Sequence, residues 1–267
     1  MGLRQGVYLA PFGELADPRV TAALAAEAEA AGFDGVFLWD HLVRPRDRGL
    51  AVGETWTALA AMATATAWVR LGTRVTPVSR RRPAELARQA VALDQLSGGR
   101  CVLGVGLGGD TGGEFTRLGE ATDLRERARL LDEGLAVITA LWTGEPVEHR
   151  GPRFVVDDLV FTPRPVQRPR IPVWVAAQSV RDAPLRRAAR YDGLCPEGSP
   201  DDVARMLDIV AGHRGDLTGY DVVVAGTDPG DAAAYARAGA TWWPTQVPEH
   251  TTAAAAAALV RRGPVAV

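Results

Sequence analysis

Three stretches of the chain are variants of one pattern. Ala30-Ala31-Gly32-Phe33-Asp34-Gly35-Val36-Phe37-Leu38-Trp39-Asp40, Ala188-Ala189-Arg190-Tyr191-Asp192-Gly193-Leu194-Cys195-Pro196-Glu197 and Arg237-Ala238-Gly239-Ala240-Thr241-Trp242-Trp243-Pro244-Thr245 each read as an Ala-rich helix end, a turn, a short apolar strand and polar residues. A short continuous apolar run is the mark of a parallel strand buried on both faces, and glycine stops the preceding helix because it takes the left-handed cap conformation freely. Reading outward gives eight such runs, at 5–12, 35–40, 70–77, 101–108, 172–177, 193–196, 222–226 and 240–244. Eight strands alternating with helices predict an α/β fold, a (β/α)8 TIM barrel, with its chemistry at the C-terminal strand ends. Asp40, Pro77, Gly108, Gln178, Glu197, Thr227 and Thr245 should then gather near one face of the barrel.

The 267 residues suit one barrel, so the reading expects one domain over 1–267. Hydrophobic residues make up 47% and the formal charge is −2, which gives no reason to expect a nucleic-acid or anionic-membrane partner. No run of about 18 apolar residues is present and a strand begins almost at once, so neither a spanning helix nor a signal peptide is expected, and cytoplasmic residence is the default. Cys101 and Cys195 fall inside predicted strands and read as buried, reduced thiols. All 30 basic residues are arginine. Without lysine, a Schiff-base nucleophile, a pyridoxal-phosphate anchor and a P-loop are impossible.

Four helices are placed by caps and periodicity. The first covers 18–31 with Asp17 as N-cap and Pro18 at the first helical position. The second spans 54–66, the third runs from Pro83 to the Ser97-Gly98-Gly99 turn, and the fourth covers 123–141 with Leu124, Ala128, Leu131, Leu135 and Ile138 on one stripe. Between the fourth helix and the fifth strand, residues 143–170 break the rhythm with five prolines. Two β-like runs at 147–150 and 154–157 flank Arg150-Gly151-Pro152, which predicts a small hairpin insertion and an extended strap that covers a site or forms an interface. The alanine run 253–258 reads as the last helix, capped by Thr251 or Thr252.

Among residues that carry chemistry, Asp40-His41 closes the second strand. A group that titrates near neutrality sits there beside a carboxylate that orients it or holds it charged; the plainer alternative is a loop cap beside a solvated histidine. His149, His213 and His250 read as surface residues. No second histidine stands at a strand end, so no metal centre is expected. Gly104-Val105-Gly106-Leu107-Gly108-Gly109-Asp110 contains the spacing of a dinucleotide fingerprint, but no helix opens on its last glycine, so that reading fails. Bare backbone there either leaves room for a flat ring against the fourth strand or forms an ordinary turn. Arg80-Arg81-Arg82 either gathers an anion or is a solvated rim, and Ala177-Gln178-Ser179 is either a phosphate cradle or a helix cap.

Together these pieces resemble one family. Residues 32–41, 71–77, 93–100, 103–108 and 172–177 look like the bacterial luciferase-like flavin-dependent oxidoreductases, whose members use FMN or its deazaflavin relative, coenzyme F420. The Asp-His pair, compact length and glycine-rich fourth strand are more similar to the deazaflavin branch. That resemblance implies a hydride-transferring oxidoreductase acting with F420 on a small organic substrate, with an FMN-dependent monooxygenase as the alternative and a flavin-binding protein without turnover as a further one. It implies His41 and Asp40 as the catalytic pair. Cofactor contacts would come from Arg74, Val75 and Thr76 on a third-strand bulge with a non-prolyl cis peptide, from Gly106, Leu107 and Gly108, and from Ala177, Gln178 and Ser179. It also implies a homodimer, for which apolar Ala58, Leu59, Ala61 and Met62 of the second helix suggest an outer face. The branch's sugar-phosphate dehydrogenases differ in three places. Their glutamate is Gly109 here, leaving Asp110 or Glu114 as substitutes; their lysine after the sixth strand is Ser199; and their tryptophan after Asp-His is replaced in the Arg44-Pro45 region. The resemblance therefore does not extend to sugar-phosphate oxidation.

Overall fold

The computed structural model describes residues 2–44 and 49–265. Eight parallel strands form the barrel: β1 (Arg4–Leu9), β2 (Gly35–Leu38), β3 (Arg70–Pro77), β4 (Cys101–Gly106), β7 (Val173–Ala177), β8 (Gly193–Pro196), β9 (Asp221–Val222) and β10 (Trp242–Gln246). They pair in the order β10-β1-β2-β3-β4-β7-β8-β9. Bridges from Val223 to Trp242 and from Gly226 to Thr245 close the ring. The predicted strand at 222–226 keeps a regular ladder only at Val222, in a two-residue strand that begins at Asp221. Its remainder is held by Val224 N–H to Trp242 O (3.2 Å) and Gln246 N–H to Gly226 O (2.8 Å), with the Trp243 ring lying where a Cβ on Gly226 would be.

The helices α1 (Pro18–Ala30), α2 (Thr55–Ala65), α3 (Pro83–Leu96), α4 (Leu124–Leu141), α5 (Asp182–Ala188), α6 (Pro200–Arg214), α7 (Ala232–Arg237) and α8 (Ala253–Val260) surround the strands. Asp17 caps α1 as expected, and Thr252 rather than Thr251 caps α8. The predicted stripe on α4 needs one correction. Leu124 is exposed and Arg127 is buried instead, because its guanidinium lies 4.2 Å over the Phe115 ring and donates to Gly108 O and Thr122 O. A second correction concerns α2. Ala58, Leu59 and Met62 are buried in the chain's own core, since α2 is pressed between α1 and α3, so they offer no apolar outer face.

The insertion forms an antiparallel hairpin of β5 (Pro146–Arg150) and β6 (Val155–Val160). Glu133 of α4 ties its tip by accepting from the Arg153 and Phe154 amides. The strap beyond contains cis Thr162-Pro163 and Arg168-Pro169. Buried Asp94 accepts from Val166 N–H, Gln167 N–H and Gln167 Nε2, and Gln167 also reaches the Cys101 carbonyl. These anchors stand at the end of α3 and the start of β4, the end of the barrel opposite the strand termini that carry chemistry.

Side chains alternate across each strand. Val36, Leu38, Leu103, Val105, Val173 and Val175 face the helices, while Phe37, Val102, Trp174, Cys195, Val223 and Trp242 fill the barrel's interior with Tyr8. Phe37, Trp174 and Trp242 pack with ring centroids 5.2–5.7 Å apart. Below them Asp221 accepts from Trp174 Nε1 (3.0 Å) and Trp242 Nε1 (3.2 Å) and is ion-paired to Arg4. Removing that carboxylate strands two buried indole N–H groups. Asp221→Ala should therefore cost about 2–4 kcal/mol, and Asp221→Asn less because its amide oxygen still accepts. Urea unfolding followed by tryptophan fluorescence reads both values; an Asp221→Ala midpoint equal to wild type would contradict the assignment.

Candidate active site

A cavity of about 510 Å³ opens at the C-terminal end of the barrel. Tyr8, Trp39, Arg74, Val75, Gly108, Ala176, Cys195 and Gln246 contribute to its wall from seven different strands or the residues just beyond them. Of the seven expected strand-end residues, Asp40, Pro77, Gly108, Gln178 and Glu197 line it, whereas Thr227 and Thr245 do not.

The floor is set by β3. The Arg74-Val75 peptide is cis, as the resemblance implied, and the β3–β4 register shifts between Thr73 and Thr76. Val75 turns inward over the glycines of β4. A Cβ on Gly106 would stand 2.8 Å from Val75 Cγ2, and one on Gly104 would stand 2.0 Å from the Thr73 carbonyl oxygen. Gly106 therefore lies beneath Val75 and does not reach the cavity. Leu107 packs toward the helices and its carbonyl accepts from Ser79 Oγ. Gly108 is the residue that does line the cavity; its φ is +76°, and a Cβ there would meet Pro77 at 2.7 Å and Phe115 at 2.8 Å.

Arg74 reaches under Tyr8, with its guanidinium 5.2 Å from the ring and Nη2 donating to Val223 O. Its Nε is buried without a partner, as is Trp39 Nε1. Burial pushes the Tyr8 phenol up to about 12 and the Cys195 thiol up to about 11, with Arg74 opposing both shifts. Both groups keep their protons at neutral pH, so Cys195 is a buried thiol and not an activated nucleophile.

Asp40 and His41 part company. The Asp40 carboxylate is almost wholly buried and accepts from Thr76 Oγ1 (2.8 Å) and Arg81 Nη2 (2.7 and 2.8 Å), while Arg80 Nη2 reaches its backbone oxygen (2.7 Å) and Oδ1 (3.3 Å). Arg80 and Arg81 are thus ion-paired to Asp40 while Arg82 is exposed, and Thr76 is committed to Asp40 rather than to the cavity. The expectation that Asp40 orients His41 is corrected by the distances. His41 Nδ1 stands 3.2 Å from Glu114 Oε1, and its ring packs against Phe12 (5.7 Å) and Trp39 (5.5 Å).

Glu114 arrives from the loop after β4, where the left-handed turn at Gly113 (φ +78°) precedes it. It is 2% exposed. Burial works against its ionisation, but the hydrogen bond and charge of His41 and the amides of Val43 and Leu42 outweigh that and hold its carboxyl below the ordinary value of 4.5. Asp110, the other candidate acid, caps the same loop by accepting from the Phe115 and Thr116 amides and does not line the cavity.

After β7 the prediction is off by one residue of the pleat. Ala176 faces the cavity, Ala177 is buried toward the helices, Gln178 lines the rim, and Ser179 does not line the cavity. Ser199 is the N-cap of α6, in a reciprocal capping box with Asp202, and Pro45 lies outside the described residues. Sequence reasoning missed Tyr8, Trp39, Arg44 and Glu249. Tyr8 and Trp39 had a signal in the period-two alternation that puts them inside; Arg44 and Glu249 form an ion pair across the rim between loops about 200 residues apart, which no local pattern announces. Among the described residues no group of three His, Cys, Asp or Glu can hold a metal.

Comparisons with known proteins agree with this geometry. A profile described as luciferase-like monooxygenase matches residues 4–216. The chain is 34% identical over 234 residues to the F420-dependent hydroxymycolic acid dehydrogenase of Mycobacterium tuberculosis, covering 82% of this chain and 62% of that protein. It is 34% identical over 183 residues to the F420-dependent glucose-6-phosphate dehydrogenase of Amycolatopsis mediterranei, covering 68% and 52% respectively. The chain thus spans between half and two thirds of the length of these curated relatives. An F420-dependent secondary alcohol dehydrogenase, solved with an F420-acetone adduct, superposes with a TM-score of 0.84 at 18% identity over 98% of both chains.

Two outcomes test the site's electrostatics. Asp40→Ala leaves two arginines facing a buried void and should cost about 3–5 kcal/mol in denaturant unfolding. For Glu114 the folded carboxyl titrates below 4.5, so its contribution to stability is present above that pH and lost as pH falls through and below it. Once the neighbouring imidazole is protonated, the stability gap between wild type and Glu114→Gln should accordingly narrow as pH falls below 4.5; a gap that widens in that range reverses the sign of the argument.

Proposed function

The chain belongs to the luciferase-like monooxygenase family, and on that premise we propose that it is an oxidoreductase that moves a hydride between coenzyme F420 and a small organic substrate. The observation that carries this reading is the cavity itself: a flat floor of Val75 beside bare backbone at Gly108, with a carboxylate-bound histidine on the adjoining wall. Its volume falls within the about 300–1,000 Å³ usual for cofactor-sized ligands. The residues fit a deazaflavin ring. Two donors in the wall, Arg74 Nε and Trp39 Nε1, are buried without partners, and a ring bearing carbonyl oxygens supplies acceptors.

Bound there, the cofactor would supply the hydride chemistry. Val75, Gly108, Arg74 and Gln178 would hold and orient it. His41 would give or take the substrate proton through the ring nitrogen not facing Glu114. The aromatic wall of Phe12 and Trp39 would exclude water from that proton.

Glucose 6-phosphate, the substrate named for one relative, is not carried over. The chain has no lysine, Gly109 carries no acid, and Ser199 is occupied as a helix cap. An FMN-dependent monooxygenase is the second reading, supported by the description of the family profile. We place the protein in the cytoplasm, in keeping with its two buried free cysteines, and as a homodimer, on the family resemblance. Among the described residues no helix is long and apolar enough to cross a membrane.

Titration of the purified protein with F420 and with FMN, followed by cofactor fluorescence, distinguishes the first two readings. F420 should bind the more tightly, and no oxygen should be consumed during turnover. Preferential FMN binding with oxygen uptake would establish the monooxygenase instead. Binding of F420 with no turnover across a panel of alcohols and carbonyls would leave a binding protein. His41→Ala should lower turnover by about 10²–10⁴ with a much smaller change in cofactor affinity. Light scattering should give twice the 28.4 kDa chain mass.

A further inference from the structure

We propose that Glu114 is the positioning residue for His41, fixing which ring nitrogen carries the proton and which one faces the ligand. Glu114 Oε1 accepts from Leu42 N–H (2.5 Å) and Val43 N–H (3.1 Å) and lies 3.2 Å from His41 Nδ1. One oxygen thereby pins three consecutive residues of the loop after β2. An ionised carboxylate can only accept, so Nδ1 is the protonated nitrogen of the neutral ring and Nε2 keeps its lone pair. No described residue bonds Nε2, and His41 lines the cavity.

The neighbouring acid cannot do this work, because both oxygens of Asp40 are held by Thr76, Arg80 and Arg81. The remaining charges near the pair are accounted for. Arg80 Nε stands 4.0 Å from Glu114 Oε2 while its Nη2 is on Asp40, and Arg44, on the same loop as His41, is paired with Glu249. The other groups against the imidazole, Phe12 and Trp39, are uncharged aromatic rings. When Nε2 accepts a proton, Glu114 is therefore the carboxylate that compensates the new charge. This inference rests on the reading of His41 as the proton-carrying residue of the cavity.

The test is a nitrogen-15 histidine NMR titration of the cofactor-free protein, with the His41→Gln spectrum identifying the resonances. Wild type should show His41 as the Nδ1–H tautomer. In Glu114→Gln that tautomer should persist, since the amide oxygen still accepts, while the titration midpoint falls by about one unit or more on loss of the neighbouring charge. In Glu114→Ala the tautomers should mix. Asp40→Asn should keep the wild-type tautomer. In F420-loaded enzyme the pH limb due to His41 should move with the NMR midpoint in Glu114→Gln. An unchanged tautomer and midpoint in Glu114→Ala, or an equal change in Asp40→Asn, overturns the proposal. Should Glu114→Ala fail to fold, the midpoint of Glu114→Gln alone decides it. Because the titration needs no cofactor, a protein that behaves as expected here yet binds no F420 would refute the cofactor reading and leave this one standing.

Discussion

The interior of an eight-stranded barrel holds only what its inward side chains can fill, and here that volume is divided unequally along the axis. Phe37, Trp174 and Trp242 occupy the lower half as a stack of large rings closed beneath by Asp221. They fit because small residues stand beside them. A Cβ on Gly193 would come within 2.5 Å of Trp174, and one on Gly35 within 2.9 Å of Phe37. Above this plug the inward positions become Gly104, Gly106, Ala176 and Cys195, and a single Val75 covers both glycines. The barrel is a packed core below and a cavity above because bulk is concentrated in the lower layers.

The walls of that cavity depend on charges that are neutralised inside the protein. Asp40 joins Arg80 and Arg81 where all three side chains are largely withdrawn from solvent, an arrangement that survives only when each charge has a partner. Arginine suits the task. The Arg80 Nη2 reaches the Asp40 backbone oxygen and carboxylate together, and its Nε edge approaches Glu114. The loop after β2 is thus held from below through Asp40 and from above through Glu114, with His41 fixed between them. The insertion takes no part in this. Its strap is tied to Asp94 and Cys101 at the far end of the barrel, and no described residue of it lines the cavity.

The expected contact residues that do not line the cavity have a common form. Ala177, Leu107 and Thr76 were each placed on the ligand, and each lies next to a residue that faces the cavity. In a strand buried on both faces every position is apolar or small, so composition does not report which face a residue takes, and a shift of one residue inverts the assignment. The β3 bulge adds to this, because it changes the phase between Thr73 and Thr76. Asp40 failed for another reason. Adjacent residues in an extended segment point apart, so an acid next to a histidine in sequence is seldom next to it in space.

The sequence by itself determined the barrel, its eight strands, the position of most helices and the hairpin insertion, because these follow from local periodicity, glycine stops and caps that act over a few residues. It also pointed to most of the strand ends that line the cavity, since fold and chain order place them on one face. Only the tertiary structure decided the chemistry within that face: that Glu114 and not Asp40 meets His41, that Arg80 and Arg81 are internal clamps, and that Arg44 pairs with Glu249. Those contacts join residues separated by 40 to 205 positions. Charged groups pair with whatever partner closure of the barrel brings within reach, and no local spacing encodes that distance.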